Sequence, residues 1–525
     1  MKIKFLLPVI VLVFIASSCE KKKEPVSVVP PETVKEEAVQ APMPSPSMRS
    51  SMGGYYEKQL AAGGVKIPNA KPYDLTFYEN YGVNPFVDTE DDTRSTFAID
   101  VDTASYTKSR AYLNDGNIPE KDAVRTEEFI NFFDYGYIAP SQKEFSVFID
   151  GCGSRFGKNC HLLRFGLKGM KIEPKDRKPA VLTFVIDVSG SMDREDRLEL
   201  VKGSLELLLE ELKESDSVGI VIYGSRGKVL MEHKGIKEKG KIKEAIKQLS
   251  AEGSTYAEEG LKLGYELAGK AFKTGAINRI ILCSDGVANV GETGAEGILK
   301  TIEEHKDKGI TLSAIGFGME NYNDVLMEKL GDKGNGHYAY VDDILEARRI
   351  FVENLTGTLQ VIAKDVKIQI EFDPAAVRSY RLLGYENRDV ADEDFRNDKV
   401  DGGEVGSGHS VTALYEIKLW DKPSGDRLGT FNIRYKKDND IVEEENIQIK
   451  AETVKRDFSQ APDPLRLAAC VAEFAELLKE SYWAKDGNFK DVLDELLRIR
   501  SYENDGKVIE LKALVSKAMQ LKEAK

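Results

Sequence analysis

The chain is poor in the residues from which zinc sites, redox centres and disulfide scaffolds are built. Its 525 residues include five cysteines and five histidines, and no two cysteines form a C-x-x-C pair. This scarcity argues against a zinc ribbon, a thioredoxin-like redox site and a histidine-rich metal cluster. Basic residues are also in deficit, since 88 acidic side chains outnumber 74 basic ones and the formal net charge is −14. We therefore expect no nucleic-acid partner, because such partners are bound by positive surfaces.

Motifs of common enzyme classes are missing as well. No G-x-S-x-G sequence is present to carry a nucleophilic serine, and no G-x-G-x-x-G follows a strand to hold a dinucleotide. Residues 224–228 contain only part of the G-x-x-x-x-G-K-[ST] phosphate loop. Because no nucleophile and base stand out together, we interpret the chain as a binding protein and not as an enzyme.

The N-terminus has an apolar run that is too short to span a membrane. Lys2 and Lys4 precede an apolar stretch over residues 5–15, whereas a spanning helix needs about 20 apolar residues. This pattern indicates a secretory signal over residues 1–18. Residues 19–75 contain several prolines, serines and charges but few large apolar side chains, so we expect a disordered tether there.

The residues that end this signal, Ala16-Ser17-Ser18-Cys19, resemble a bacterial lipobox. The resemblance implies cleavage before Cys19 and acylation of this residue, and the alternative is an ordinary signal with an incidental cysteine. Two or more acyl chains are needed for stable anchoring. We therefore expect an exported protein that is anchored by lipid to a bacterial membrane, at its periplasmic face or at the cell surface.

Apolar runs rich in β-branched residues alternate with amphipathic stretches over residues 178–358. Runs that are apolar throughout are typical of parallel strands buried on both faces. We predict such strands at Val181–Ile186, Val218–Tyr223, Arg279–Cys283, Ile310–Gly316 and His337–Val341. The alternation of strand and helix predicts an α/β domain with a doubly wound parallel sheet, whose ligands lie at the carboxyl ends of the strands.

The segments on either side of this domain have a different pattern. Residues 76–177 and 359–455 contain further predicted strands, several of them with period-two alternation, and residues 456–525 are predicted to be helical. We hypothesise that the two β-rich regions form one sandwich, with the α/β domain inserted between them.

Oxygen-bearing side chains cluster at the predicted ligand-binding edge of the sheet. Asp187, Ser189 and Ser191 form a D-x-S-x-S sequence after the first strand, Asp285 follows the third strand, and Thr255 precedes a predicted helix. Hydroxyl and carboxylate oxygens are the ligands that hard cations such as Mg²⁺ prefer. D-x-S-x-S alone is a weak signal, because Ser, Gly and Asp are ordinary turn residues. The alternative is a metal-free domain that keeps these loops for their turn geometry.

Taken together, these loops resemble the metal-ion-dependent adhesion site of von Willebrand factor type A (VWA) domains. The resemblance implies that Ser189 and Ser191 bind the metal directly and that Thr255 does so in one conformation. It implies that Asp187 and Asp285 act largely through bound waters. It also implies Mg²⁺ as the cofactor, with Mn²⁺ or Ca²⁺ as alternatives, and a protein partner whose acidic residue completes the coordination.

Other parts of the chain extend this resemblance. Residues 97–106 and 125–135 look like the N-terminal segment that precedes a VWA domain in a family of bacterial lipoproteins, and residues 284–291 are similar to that family's last metal loop. Residues 359–525 would correspond to the family's C-terminal region. The resemblance implies a membrane-anchored adhesion module that binds an acidic partner. The alternative is a cell-envelope scaffold in which the VWA domain is mainly structural.

Two cysteines stand close together in the N-terminal β-rich region. Cys152 and Cys160 flank a glycine-rich turn between two predicted strands. In an exported protein this placement leads us to expect either a disulfide that closes a hairpin or two reduced thiols.

Overall fold

The computed structural model describes residues 78–523, except for positions 100, 158 and 456 and residues 287–293, 319–321, 422–424 and 438–439. The predicted signal over residues 1–18 and the whole predicted tether over residues 19–75, which includes Cys19, lie outside the described residues. Within the described part of the chain, no helix combines the length and the apolar character that a bilayer crossing requires.

The chain runs through three successive groups of strands and helices. The N-terminal group is β1 (Val87–Asp88), β2 (Arg94–Ala98), α1 (Ala104–Asn114), α2 (Thr126–Asn131), β3 (Phe145–Gly153) and β4 (His161–Gly169). The middle group is β5 (Ala180–Asp187), α3 (Leu200–Glu211), β6 (Ser217–Tyr223), β7 (Gly227–Gly235), α4 (Lys239–Lys247), α5 (Ala257–Ala271), β8 (Ile277–Ser284), α6 (Gly294–Lys306), β9 (Ile310–Phe317), α7 (Asp324–Lys333), β10 (Tyr338–Val341), α8 (Ile344–Arg348) and α9 (Leu355–Leu359). The C-terminal group is β11 (Val361–Phe372), β12 (Val377–Leu383), β13 (Gly403–Gly406), β14 (Ser410–Leu419), β15 (Arg427–Lys437), β16 (Val442–Lys450), α10 (Asp463–Leu478), α11 (Phe489–Arg498) and α12 (Gly506–Glu523).

The middle group forms an α/β domain around a six-stranded sheet of order β10-β9-β8-β5-β6-β7. The predicted α/β fold class is confirmed. β5 lies near the centre of the sheet, and all eight of its residues are buried because helices cover both faces of the sheet. The sheet is parallel, as predicted, except at one edge, where β7 pairs antiparallel with β6. β7 was not predicted, since its half-exposed, partly charged sequence lacks the apolar run of the inner strands.

The two flanking segments share two further sheets. One has the order β1-β12-β14-β4-β3, and the other has the order β13-β11-β15-β16 with β2 also paired to β11. Each sheet therefore contains strands from both sides of the α/β domain, as the insertion hypothesis predicts. The sheets pack on each other through one apolar cluster, in which the rings of Phe165 and Phe431 stack with centroids 5.5 Å apart.

The C-terminal helices are part of the same core. Twelve of the sixteen residues of α10 are buried, which is far more than an amphipathic surface helix would bury. Leu162 of β4, Leu414 of β14 and Phe129 of α2 belong to one apolar cluster with α10, α11 and α12. These helices and α2 therefore cover the face of the first flanking sheet that points away from the second. The region 76–177, predicted as β-rich, thus also contributes two helices.

The disulfide considered for Cys152 and Cys160 does not form, and both residues are buried. The register of the β3–β4 hairpin gives the physical reason. Cys152 lies opposite Leu162, and the N–H of Ser154 donates to the carbonyl of Cys160, so the two cysteines are diagonal neighbours. Diagonal positions are about 7–8 Å apart, beyond the roughly 4.4–6.8 Å between bridged Cα atoms. The alternative of two reduced thiols therefore applies.

A buried ion cluster joins the N-terminal group to the α/β domain. Lys108 of α1 forms an ion pair with Asp324 at the start of α7, and Arg125 Nη1 lies 3.1 Å from the other oxygen of Asp324. Tyr338 donates its hydroxyl to the same carboxylate at 2.6 Å. Burial alone would raise the pKa of Asp324, but Lys108 and Arg125 outweigh it and lower that pKa to about 2. Asp324 is thus charged at neutral pH and pairs with both cations, while Glu128 and Glu328 also contact Arg125.

Replacing Asp324 by Asn tests this cluster. The amide leaves Lys108 with no anionic partner in a buried site, so we expect the free energy of unfolding to fall by about 3–5 kcal/mol. Urea denaturation followed by circular dichroism measures the change. Asp494→Asn is the control, since Asp494 pairs with Lys490 on the exposed face of α11 and should alter stability very little. Equal effects of the two substitutions would contradict the assigned role of Asp324.

Candidate metal-binding site at the end of the central sheet

Asp187 is the last residue of β5, and its carboxylate is completely buried. The backbone N–H of Ser189 donates to Oδ1 at 2.9 Å, and the hydroxyl of Ser284 donates to Oδ2 at 3.0 Å. Ser284 ends β8, which is the neighbour of β5 in the sheet. The carboxylate therefore fastens the loop after β5 to the end of the next strand.

The two serines of the D-x-S-x-S sequence face each other. Their Oγ atoms are 3.0 Å apart, with Ser189 buried and Ser191 half-buried. Residues 190–192 form a short 3₁₀ turn, and Met192 anchors this turn in the core. Two neutral hydroxyl oxygens are thus held side by side directly beyond the end of β5.

Asp285 follows β8 and is also buried, but a guanidinium contacts it. Arg197 Nη1 donates to Asp285 Oδ2 at 2.6 Å and to the carbonyl oxygen of Ser191 at 2.7 Å. A Cβ atom at Gly318 would lie 2.3 Å from Arg197 Nε, so the arginine packs closely against a position that requires glycine. Arg197 is not predictable as part of this site, because nothing in its local sequence shows that it reaches the loop after β8.

The loop that carries Thr255 is hydrogen-bonded to the D-x-S-x-S loop. The N–H of Gly190 donates to the carbonyl of Gly253 at 2.9 Å, and the N–H of Glu252 donates to the carbonyl of Val188 at 2.6 Å. Thr255 is half-buried just before α5, and among the described residues its hydroxyl makes no hydrogen bond to the other four candidates. The structure thus brings Asp187, Ser189, Ser191 and Asp285 together and places the Thr255 loop beside them.

The electrostatics of the Asp187, Ser189, Ser191 and Asp285 side chains are compatible with a bound cation. Burial, together with nearby Asp285, raises the pKa of Asp187 to about 7. Burial also raises the pKa of Asp285, although Arg197 opposes that shift. Within the described residues no three His, Cys, Asp or Glu side chains are placed to hold a metal, so the serine and threonine hydroxyls would have to complete the ligand set. Such an all-oxygen set suits Mg²⁺, and the residues present fit this ion.

Comparisons with known proteins cover nearly all of the described chain. Residues 73–164 match the family described as von Willebrand factor, residues 182–353 match the von Willebrand factor type A domain, and residues 357–521 match the family described as uncharacterized protein YfbK, C-terminal. Uncharacterized protein YfbK of Escherichia coli (strain K12) is 33% identical over 441 residues, which cover 79% of this chain and 76% of that protein. The chain belongs to the YfbK family. It contains a VWA domain as its α/β domain.

More distant relatives share parts of this YfbK-family chain. Protein sll0103 of Synechocystis is 30% identical over 207 residues, covering 39% of this chain and 48% of that protein. Inter-alpha-trypsin inhibitor heavy chain H3 of Homo sapiens is 25% identical over 281 residues, or 49% of this chain and 30% of the relative. Among solved structures, a von Willebrand factor type A protein from Catenulispora acidiphila covers 70% of this chain and 88% of its own, with 16% identity and a TM-score of 0.42.

A pair of glycine substitutions tests how the Thr255 loop is held. Gly253 and Gly275 both have positive φ, +78° and +76°, but a Cβ at Gly253 would lie 2.2 Å from Ser225 Oγ while one at Gly275 meets nothing within 4 Å. We expect Gly275→Ala to cost about 1–2 kcal/mol of unfolding free energy for its left-handed backbone. Gly253→Ala should cost more and speed hydrogen exchange of the Gly190 amide, as measured by mass spectrometry. Equal losses, with unchanged exchange at Gly190, would show that the loop contact contributes nothing.

Proposed function

We propose that this chain is a membrane-anchored binding protein whose VWA domain presents a divalent cation, Mg²⁺ in the first place, to a carboxylate of a protein partner. The observation that carries the proposal is the group at the carboxyl ends of β5 and β8. There, two buried carboxylates lie beside two hydroxyls that are 3.0 Å apart. Ligands converge at this edge in open α/β sheets.

The proposed ligands are of two kinds, neutral hydroxyls and charged carboxylates. Ser189, Ser191 and Thr255 would offer neutral oxygens to the cation, which leaves its positive charge largely uncompensated by direct ligands. Asp187 and Asp285 would balance part of that charge, and Mg²⁺ commonly keeps several waters through which carboxylates act. A cation held in this way attracts an outside carboxylate, so we propose an acidic residue as the partner's contribution.

A binding role is favoured over catalysis by the way in which Asp187 is held. A carboxylate with a pKa of about 7 has the proton affinity of a general base. The side chain of Asp187 is nevertheless fully buried, and both of its oxygens accept hydrogen bonds, one from Ser189 and one from Ser284. Both oxygens are thus engaged by donors of the domain itself, so we propose a binding module that is not an enzyme.

A second candidate function has its own supporting observation. The guanidinium of Arg197 already forms an ion pair with the Asp285 carboxylate. A metal is therefore less needed to balance the charge of that carboxylate. In this alternative the VWA domain is a structural part of a cell-envelope scaffold, and the outer sheets and helices make the contacts. α10 lies in the core of the flanking region, so deleting residues 456–525 would unfold that region and could not separate the two functions. Titration of the metal does separate them.

Calorimetric titration of Mg²⁺ into the full-length chain tests the metal site. We expect saturable binding that is lost in Asp187→Ala and weakened roughly tenfold or more in Ser189→Ala, because one direct or charge-balancing oxygen is removed. Ser254→Ala is the matched control, since Ser254 is exposed in the same region but is not a proposed ligand. Circular dichroism checks that each variant is folded. Absence of Mg²⁺ binding in the unmodified chain would favour the scaffold.

Replacement of Cys19 by Ser tests the proposed lipid anchor. Without the thiol no acyl chain can be attached, so we expect the variant in the soluble fraction and without label after growth in radioactive palmitate. Ser18→Ala keeps a small residue before the cysteine and should stay with the membrane and be labelled. Recovery of unlabelled Cys19→Ser protein in the membrane fraction would contradict lipid anchoring.

A further inference from the structure

A polar pocket lies where the flanking segments, the end of the VWA domain and the last helix meet, away from the candidate metal site. The cavity measures about 150 Å³, and its lining includes Lys168 of β4, Arg349 after α8, His409 before β14 and Lys507 of α12. It shares no residue with the candidate metal site. We propose that this pocket binds a free, small oxyanion with the size and charge of phosphate.

The charges around the pocket are unbalanced. Its lining holds three cationic side chains and a single acidic one, Asp134, which is exposed. Arg349 is neutralised by Glu346, because its Nε donates to Glu346 Oε1 at 2.8 Å. Lys168 and Lys507 have no carboxylate within ion-pair distance in the described part of the chain. The pocket therefore keeps a positive excess of the kind that an anion neutralises.

Both lysines are held in positions that disfavour their charge. Burial lowers the pKa of Lys507 below that of an ordinary lysine, and the nearby charge of Arg349 lowers it further, against the weaker attraction of Glu346, Glu353 and Asp505. Burial also lowers the pKa of Lys168, against the attraction of Asp134. The contacts that remain are uncharged: Lys168 Nζ donates to Ser410 Oγ at 3.0 Å, and Lys507 Nζ lies 5.2 Å from the centre of the Phe132 ring. A bound anion would offset the cost of burying these charges.

His409 supplies a second observation, independent of the lysines. Its Nδ1 atom is shielded from solvent and has no hydrogen-bond partner in the described structure. A Cβ at Gly357 would lie 2.6 Å from Nε2 and 2.7 Å from Cδ2, so that edge of the ring packs on Gly357 and Nδ1 lies on the opposite side. Gly357 does not line this pocket. Buried polar atoms are rarely left without a partner, so a polar ligand atom beside Nδ1 of His409 is expected.

The size of the pocket restricts the ligand class. Sites for drug-sized molecules and cofactors occupy about 300–1,000 Å³, so this cavity takes a small ion and not a nucleotide. Hydroxyl and amide groups of Thr103, Ser410 and Asn354 also line it and can donate hydrogen bonds to oxyanion oxygens. Phosphate accepts several such bonds and carries a charge that matches the excess from Lys168 and Lys507.

Titration of sodium phosphate into the full-length chain tests the proposal, at ionic strength kept constant with sodium chloride and without Mg²⁺. We expect one saturable site by calorimetry, weakened roughly tenfold or more in Lys507→Gln because a charge-assisted contact is lost. Lys490→Gln is the control, since Lys490 is exposed on α11, and should bind as the unmodified chain does. Lys168→Gln should weaken binding in the same way as Lys507→Gln.

The ring of His409 gives a readout that does not depend on the variants. Burial and the nearby cations Lys168, Arg349 and Arg279 lower its pKa to about 4. Saturating phosphate should raise that pKa by about one unit or more, because an anion favours the imidazolium. The shift is followed by NMR of ¹³C-labelled histidine, with His409→Gln assigning the resonance.

Three results would overturn the proposal. The first is the absence of saturable phosphate binding. The second is that the Lys507→Gln and Lys168→Gln variants bind phosphate as tightly as the unmodified chain does. The third is a pKa of His409 that phosphate leaves unchanged. A parallel arm uses vesicles of phosphatidylcholine and phosphatidylglycerol in a 3:1 ratio, at about the same phosphate concentration. Binding to these vesicles without binding of free phosphate would assign the pocket to a lipid headgroup and would also overturn the proposal.

Discussion

The pairing of β4 with β14 is the contact on which the arrangement of the whole molecule depends. Its register joins Lys168 to Ser410, residues 242 positions apart in the sequence. Everything between them, including the VWA domain, is enclosed in the loop that this pairing closes. The domain is therefore attached at both ends to one sandwich, and a domain held at two points has fewer rigid-body motions open to it than one on a single linker.

The buried ion cluster adds a third attachment close to the candidate site. Asp324 contacts Lys108 and Arg125 of the N-terminal segment, and the preceding residue, Asn323, donates its backbone N–H to the carbonyl of Gly286 at 3.3 Å. Gly286 directly follows Asp285. A displacement of the loop after β8 would thus disturb a carboxylate that pairs with two buried cations. The site is supported by the flanking region as well as by its own sheet.

Strong local patterns made part of this architecture predictable from the sequence. The inner strands β5, β6, β8 and β9 are predictable because each contains a largely apolar run, and the D-x-S-x-S loop follows directly from the end of β5. α1 was missed, because it buries Lys108 and Arg110 in ion pairs and has no clear apolar face. Such ion pairs can be recognised only in the folded structure, because their partners come from distant parts of the sequence. The same is true of Arg197 at Asp285, and of the hairpin register that separates Cys152 from Cys160.

The long-range closure of the sandwich also has a consequence for biosynthesis. β4 can pair with β3 as soon as the hairpin is made, but its other edge stays without a partner until β14 has been synthesised. At roughly 5–20 residues per second, a separation of 242 residues corresponds to about 12–50 s of chain elongation. During that interval an unpaired apolar strand edge is open to aggregation. A nascent chain with this topology therefore carries an unprotected strand edge until β14 emerges and the sandwich can close.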